Sequence, residues 1–284
     1  MAEWLKAAVL KTVNGETRSG VRIPLPPPSD SVLTLAAIGV LAYVSCDLLH
    51  ELVGHGGACL ATGGQPVTFS TVHFQCFGGW QPGVCAAGIL ANIIAGAALW
   101  LIARRSAKLS IRVRYFVWLA MAYNLFTGWG YVVSSSLGNS GDLANAFRAA
   151  PPAWHWRAMA APVGVLFYVL STWIAAVQVR PLIGPGYPAR LWRLILIPYF
   201  GSAAVASAAG ALNQIMHAHL AITLAVSTTL GSWGFLLVPL VLLTSRTAPA
   251  PVAPAIPRSL GWMVAAVLVA AVFVGVVGPG LRLH

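Results

Sequence analysis

The sequence predicts an all-α polytopic membrane protein, with about seven transmembrane helices and a short β-strand or hairpin at the membrane edge after the first helix. Two observations carry this class. Of the 284 residues, 58% are hydrophobic and only 8% are charged, which is more apolar surface than a soluble core needs. Apolar runs of the roughly 20 residues that cross a bilayer also recur along the chain. We therefore expect a multi-pass integral membrane protein in a lipid bilayer, in a prokaryotic cell membrane.

Seven apolar runs define the expected spans. They cover residues 31–55, 83–103, 113–135, 159–179, 191–212, 223–244 and 260–278. The sixth run begins in a stretch rich in hydroxyl side chains, namely Thr223, Ser227, Thr228 and Thr229. Between the first two runs, residues 63–74 alternate in the way typical of a strand. Residues 245–258 are rich in proline and alanine and predict a stiff linker, so residues 31–244 form the membrane core and residues 259–284 the final helix and tail.

The formal charge of +11 comes from basic residues that gather in the breaks after the second, fourth and sixth runs. They are Arg104, Arg105, Lys108, Arg112 and Arg114, then Arg180, Arg190 and Arg193, then Arg246 and Arg258. Such clusters are typical of cytoplasmic loops, and their distribution argues against nucleic-acid binding. The loops after the first, third and fifth runs are then expected to face outward.

Residues 1–30 stand apart from the membrane core. Their sequence resembles the conceptual translation of a transfer-RNA gene, which predicts a non-native N-terminal extension or a disordered tail. The alternative is a short amphipathic helix at the membrane interface. Either way, this stretch is excluded from the functional interpretation.

Four cysteines occur, and no two have the Cys-x-x-Cys spacing of a thiolate metal site. We expect Cys46 to be a small buried hydrophobe in the first span. Cys76 and Cys85 flank an outward loop and could form a disulfide if that side is oxidising. Pairing cannot be read from sequence alone.

Ionisable residues concentrate at the C-terminal end of the first run. The chain has six carboxylates, and after Asp30 only Asp47, Glu51 and Asp142 remain. Asp47 and Glu51 lie in the same short stretch as His50 and His55. Because hydrocarbon makes ionisable side chains expensive, such residues usually face a polar interior and have a function there. A zinc hydrolase requires imidazoles that hold the metal and a nearby carboxylate that accepts a proton.

The spacing of the two histidines is five, whereas the usual zinc motif has four. On a regular helix, five residues separate the two side chains by about 140°. A π-bulge would absorb the extra residue, and Gly54 could assist it, so that His50 and His55 bind zinc and Glu51 is the general base. We then expect the ring nitrogens to lie about 3–4 Å apart. The other interpretation keeps the helix regular, with Glu51 and His55 as ligands.

Three motifs follow one another along the chain, namely residues 48–58 (LLHELVGHGGA), 63–74 (GGQPVTFSTVHF) and 86–92 (AAGILAN). Together they resemble the site-2 protease family of intramembrane zinc metalloproteases. The first is similar to that family's first motif with one residue inserted, a spacing also found in the dipeptidyl peptidase III family. The second is similar to its membrane-edge strand, and the third to the start of its next span. The resemblance implies a metallopeptidase that uses Zn²⁺ and cleaves a membrane protein or peptide substrate.

The family's third ligand is an aspartate after a later span. The corresponding region here is residues 124–128 and 138–142, which lacks the family's prolines and has Gly-Asp in place of its Asp-Gly. This region contains Asp142, so the resemblance implies that Asp142 is the third ligand. Asn92 and Asn124 are candidates to hold the substrate backbone, and Asp47 to orient a ligand imidazole.

Two points stay open in the sequence. The family places its metal nearer the cytoplasm, whereas the charge pattern puts this site on the outer side. The departures from the third motif also allow a non-proteolytic membrane protein that keeps the metal site for transport, sensing or binding.

Overall fold

The computed structural model describes residues 29–150, 152–184, 188–244 and 253–283. Most of the predicted N-terminal extension and residues 245–252 of the predicted linker lie outside this part of the chain. The helices within it are α1 (Val32–Ala61), α2 (Gln81–Arg104), α3 (Ile111–Gly138), α4 (Gly141–Ala146), α5 (Ala153–Ile183), α6 (Ala189–Ala211), α7 (Ala218–Gly231), α8 (Gly234–Thr244) and α9 (Leu260–Val277), with a short 3₁₀ turn at Ser106–Lys108.

Six of these helices, namely α1, α2, α3, α5, α6 and α9, are long and apolar enough to cross a membrane. The predicted all-α polytopic class is therefore confirmed. The expected sixth span is instead a pair of shorter helices, α7 and α8, which are interrupted at residues 232–233.

A tyrosine from α5 closes the interruption between α7 and α8. The Tyr168 hydroxyl donates to the Gly231 carbonyl oxygen at 2.7 Å and accepts from the Gly234 N–H at 2.7 Å. Unpaired backbone groups are costly in hydrocarbon, so non-helical backbone at membrane depth needs partners within the protein. The Tyr168 hydroxyl supplies both partners at this break.

Contacts at the two ends of the bundle locate the stretch of chain that contains α7 and α8. Just after α6, the Gln214 N–H donates to the Pro279 carbonyl oxygen, which lies just after α9. At the opposite end, before α9 begins, the Ile256 N–H donates to Asp30 Oδ1 at 2.8 Å. The chain thus passes from one end of the bundle to the other between residues 214 and 256, while six helices of the described residues, and not the expected seven, are long enough to cross a membrane.

The end of the bundle that contains Asp30 is also the basic end. Arg190 binds the Asp30 carboxylate with two nitrogens, at 2.8 and 2.9 Å, and both side chains are largely buried. Asp30, the last residue of the predicted N-terminal extension, is therefore part of the folded protein.

A small antiparallel sheet lies at the other end. Its strands are β1 (Gln65–Phe69), β2 (Phe74–Phe77) and β3 (Leu281–Arg282), in the order β2-β1-β3. The hairpin of β1 and β2 confirms the strand predicted after the first helix. The third strand comes from the C-terminal residues and was not predicted.

The cysteine pairing differs from the one considered from sequence. Cys76 in β2 forms a disulfide with Cys59 in the last turns of α1, and Cys85 is a free thiol. The suggested pairing of Cys76 with Cys85 is therefore wrong. The reason is that the hairpin folds back over the end of α1, which brings the Cys59 and Cys76 Cα atoms to 5.9 Å.

Among the six long helices, α3 is the most buried and α9 the least. Aromatic side chains fill the interior around α3, where Tyr43, Tyr123 and Phe126 pack with Phe235 and Trp118. The ionisable residues of α1 lie beyond this core, where α1 meets α2 and α3.

Candidate metal centre

The helix that carries the two histidines is widened where they occur. Residues Leu49–Gly56 of α1 form a π-helix, with regular α-helix before and after. A wider turn brings residues five apart onto one face. His50 Nε2 and His55 Nε2 consequently lie 3.2 Å apart. The predicted distortion and the predicted approach of the two rings are both confirmed.

Two glycines let α2 approach this turn closely. A Cβ atom on Gly54 would lie 2.5 Å from the Gly88 Cα, so the backbones of α1 and α2 touch here. A Cβ atom on Gly88 would lie 2.5 Å from His55 Nε2 and 2.7 Å from His50 Nε2. The two ring nitrogens therefore point at the bare backbone of α2.

The other nitrogen of each ring is bound to an acceptor on α2. His50 Nδ1 lies 2.6 Å from Asn92 Oδ1, and His55 Nδ1 lies 2.7 Å from the Val84 carbonyl oxygen. Because these oxygens only accept, both Nδ1 atoms carry the proton, which leaves a lone pair on each Nε2 in the neutral ring. Metal-binding histidines are held in this way in proteins.

Asp142, in the first turn of the short helix α4 that follows α3, completes the cluster. Asn139 and Gly141 adopt left-handed backbone conformations, with φ of 49° and 77°, and turn the chain back towards α1. Asp142 Oδ2 lies 3.0 Å from His50 Nε2 and 3.5 Å from His55 Nε2. The predicted approach of Asp142 to the two histidines is therefore confirmed.

Electrostatics favour the ionised form of Asp142. Burial acts to raise the pKa of its carboxyl group, but hydrogen bonds with the His50 and His55 rings outweigh it and hold the pKa below its usual range. A carboxylate that already carries its charge is ready to bind a cation. His73, in the loop between β1 and β2, has a pKa lowered by burial and is neutral at pH 7; it lies outside the cluster.

Asn92 and Asn124 form a buried chain behind His50. The Asn92 amide donates to Asn124 Oδ1 at 2.8 Å and to the Cys46 carbonyl oxygen at 3.1 Å, while the Asn124 amide donates to the Ala120 carbonyl oxygen at 2.8 Å. These bonds fix Asn92 with its oxygen towards His50. With exposures of 0% and 3%, the two side chains are placed to orient His50 rather than to hold a substrate backbone.

The structure does not support the predicted role of Asp47 as the group that orients an imidazole. Both Nδ1 atoms are already bound, by Asn92 and by the Val84 carbonyl. Asp47 instead lines a small cavity next to His50 and Glu51.

Several neighbours of the site were missed from the sequence. The Tyr131 ring of α3 stacks on His50 with ring centres 4.8 Å apart, and Phe74 of β2 lies parallel to His55 at 6.3 Å. Val84 acts through its backbone, which side-chain chemistry cannot reveal. One signal was available: Val84, Gly88 and Asn92 are spaced by four, which places them on one face of α2.

No family model, curated protein or solved structure matches this chain. The interpretation of the site therefore depends on its own geometry.

The three donor atoms fit a metal ion. Ligand atoms of His50, His55 and Asp142 all lie within 4.8 Å of one another. Two ring lone pairs and a carboxylate oxygen converge on one point, and only a cation or a proton between them makes that arrangement favourable. Two imidazoles and one carboxylate are a ligand set of catalytic zinc, which keeps a fourth position open.

Proposed function

We propose that this chain is an intramembrane zinc metalloprotease similar to the site-2 protease family, with His50, His55 and Asp142 as the metal ligands. One observation carries the proposal. The Nδ1 atom of each histidine ring is hydrogen-bonded to an acceptor on α2, and the Nε2 atom of each ring faces Asp142 Oδ2. Glu51 lies next to His50 in the same widened turn and is buried.

The residues of the site suit peptide hydrolysis. A bound zinc ion would supply a Lewis acid that polarises the scissile carbonyl and acidifies a water molecule. Glu51 would accept the proton of that water and deliver it to the leaving amine as the general base and then the general acid. Asn92 and the Val84 carbonyl bind the Nδ1 atoms of the two rings and so orient both Nε2 atoms towards the metal position.

The position of the site supports a substrate within or beside the membrane. The ligands lie where α1 meets α2, and α2 is one of the less buried of the long helices. A peptide bond can be cleaved only where the substrate backbone is unwound, and the hairpin of β1 and β2 lies next to the site, where Phe74 packs against His55.

We place the site on the outer side of the membrane. Disulfides persist in oxidising compartments, and the Cys59–Cys76 disulfide lies at the same end of α1 as the metal ligands. The basic residues at the opposite end of the bundle agree with this orientation. A prokaryotic cell membrane stays the predicted location.

Metal analysis tests the ligand set. Purified protein should contain about one zinc ion per chain, and the His50→Ala, His55→Ala double variant should contain none. His155→Ala is the control, because His155 lies on the same side of the bundle but outside the cluster. A folded protein without metal, or with iron instead of zinc, would contradict the proposal, since two histidines and a carboxylate also bind ferrous iron.

A second variant tests the chemistry. Glu51→Gln should retain zinc and lose peptide cleavage, because the amide cannot accept the proton. Comparing membrane proteomes of cells with wild type and Glu51→Gln would identify substrates as proteins that accumulate uncleaved in the variant. Identical proteomes with zinc present in both would favour the non-proteolytic alternative, in which the metal serves transport, sensing or binding.

A further inference from the structure

A second cavity lies at the end of the bundle that carries the sheet. Its volume is about 350 Å³, and its lining residues are Val67, Thr68, Ile215, Arg282 and Leu283. Ligand pockets in proteins begin at about 300 Å³, so this cavity has room for a small molecule or a headgroup. It shares no lining residue with the candidate metal centre, and the two sites can therefore be occupied independently.

Backbone hydrogen bonds preform the wall of this cavity. The Gln214 N–H donates to the Pro279 carbonyl oxygen at 3.0 Å, which joins the segment that carries Ile215 to the turn before β3. The Leu283 N–H donates to the Val67 carbonyl oxygen at 2.7 Å, which joins the C-terminal residues to β1. The segments that line the cavity are thus held together by the fold itself.

Arg282 gives the wall a positive charge that nothing in the described part of the chain balances. Its guanidinium is ionised at any physiological pH, and it has no hydrogen-bond or ion-pair partner among the described residues. Two other arginines at this end of the bundle are engaged: Arg157 donates to two carbonyl oxygens at the end of α3, and Arg148 donates to Asn145 Oδ1. Arg282 is therefore available to an anionic ligand.

Thr68 offers a second polar group next to Arg282. The two residues are directly opposite each other on β1 and β3, and the side chains of such a pair leave the same face of a sheet. The Thr68 side chain is buried, and its hydroxyl has no hydrogen-bond partner among the described residues. A hydroxyl and a guanidinium on one face are donors that suit the oxygens of a phosphate.

The cavity lies where two spanning helices end. α6 ends at Ala211 and α9 at Val277, and both are long and apolar enough to cross a membrane. Ile215 and Arg282 follow these ends by only a few residues. The layer just beyond the hydrocarbon core contains the lipid headgroups, so the cavity lies at the level of the lipid phosphates. In the orientation proposed above, these lipids belong to the outer leaflet.

The rest of the wall distinguishes a lipid from a soluble anion. The three other lining side chains, apart from Arg282 and Thr68, are apolar. Leu212 and Val276, at the ends of α6 and α9, are exposed large hydrophobic residues and so face lipid in a membrane. A phospholipid can place its phosphate at Arg282 and its glycerol and first methylene groups against the apolar wall, whereas a soluble anion gains from the arginine alone.

We propose that this cavity binds the headgroup of an anionic phospholipid such as phosphatidylglycerol, with Arg282 and Thr68 on its phosphate. The bound lipid contacts β1, β3 and the segment between α6 and α7 together. It therefore holds the sheet against the ends of the spanning helices.

Native mass spectrometry of the purified full chain in detergent tests the site, because it counts bound lipids and gives a dissociation constant from their occupancy. Phosphatidylglycerol should occupy about one tight site per chain and bind at least about tenfold more tightly than phosphatidylcholine, whose headgroup carries an additional positive charge. Arg282→Gln should weaken phosphatidylglycerol binding by at least about tenfold, because charge-assisted hydrogen bonds to the phosphate are lost. Leu283→Glu should weaken it comparably, because the new carboxylate repels the phosphate.

Arg148→Gln is the matched control. It removes the same charge from the same end of the bundle, but Arg148 does not line this cavity, so its variant should bind phosphatidylglycerol with the wild-type affinity. Arg282→Lys keeps the positive charge and should bind more tightly than Arg282→Gln. Arg148, Arg282 and Leu283 are all exposed, so the variants should fold, and the unfolding midpoint of each checks this.

Two other sources of the anion are outcomes that would overturn the proposal. Displacement of phosphatidylglycerol by millimolar inorganic phosphate would assign the cavity to a soluble phosphate. Displacement by an apolar peptide with a free C-terminal carboxylate, but not by the same peptide as its amide, would assign it to a protein chain. Equal affinity for phosphatidylglycerol and phosphatidylcholine, or wild-type affinity in Arg282→Gln, would also refute it. The zinc content of the protein is independent of all these results, so their failure would leave the proposed function unaffected.

Discussion

Gly88→Ala offers a direct test of the metal centre, because it adds a single methyl group at the point where the ligand nitrogens meet. The new Cβ would lie 2.5 Å from His55 Nε2 and 2.7 Å from His50 Nε2, whereas ordinary contact distances are about 3.5 Å or more. Both rings must therefore shift by about 1 Å, which is several times the ±0.2 Å or so that metal–ligand distances tolerate. We expect zinc affinity to fall by at least about 100-fold, which is about 2.7 kcal/mol.

The variant should otherwise fold normally, since Gly88 lies inside α2 with a helical backbone and alanine favours a helix over glycine by about 1 kcal/mol. Zinc affinity is measured by competition with a chelator of known affinity, and the helix content by circular dichroism. Gly57→Ala is the control, because Gly57 follows the π-helix of α1 and a Cβ there meets no atom within 4 Å. Unchanged zinc affinity in Gly88→Ala would refute the assignment of the two Nε2 atoms as ligands.

Three further variants test the surroundings of the site and the fold. Asn92→Leu should lower zinc affinity by about 10–100-fold because His50 loses the acceptor that orients it; chelator competition that gives the wild-type value would contradict this support role. Cys59→Ser should lower the free energy of unfolding by about 3 kcal/mol, the value for a disulfide that closes a loop of similar length. Reducing the disulfide in the wild type should lower the free energy of unfolding by the same amount, and a smaller loss would contradict the prediction. Tyr168→Phe should destabilise the protein by about 1–3 kcal/mol, because two backbone groups at the break between α7 and α8 lose their partner; an unchanged denaturation midpoint would show that they are paired otherwise.

The sequence predicts the architecture because membrane spans leave a strong signal in composition. It does not predict the break between α7 and α8, since that depends on a hydroxyl from α5 that is more than 60 residues away in sequence. The third strand of the sheet is only two residues long, too short for any alternation to be visible. The disulfide depended on how the hairpin folds over α1, which the spacing of the cysteines does not reveal.

The candidate site was predictable to the extent that its residues are chemically scarce. His50, His55 and Asp142 stand out because few ionisable residues occur in the membrane core. Asp47 is just as scarce, but scarcity does not indicate which partner a carboxylate contacts, and its predicted role was not supported. Val84 and Tyr131 were missed for the opposite reason, since a backbone carbonyl and an aromatic ring are common everywhere in such a chain.

The widened turn at Leu49–Gly56 has a consequence for how sites of this kind can change. Leu52 and Val53, which lie between the histidines, are 49% and 59% exposed, so they are spacers rather than parts of the site. Removing one spacer would shorten the interval to four, and a regular α-helix would then present both rings on one face. The same arrangement of two histidines in space can therefore arise from an interval of four or of five residues. A sequence motif that requires an interval of four would miss a site like this one.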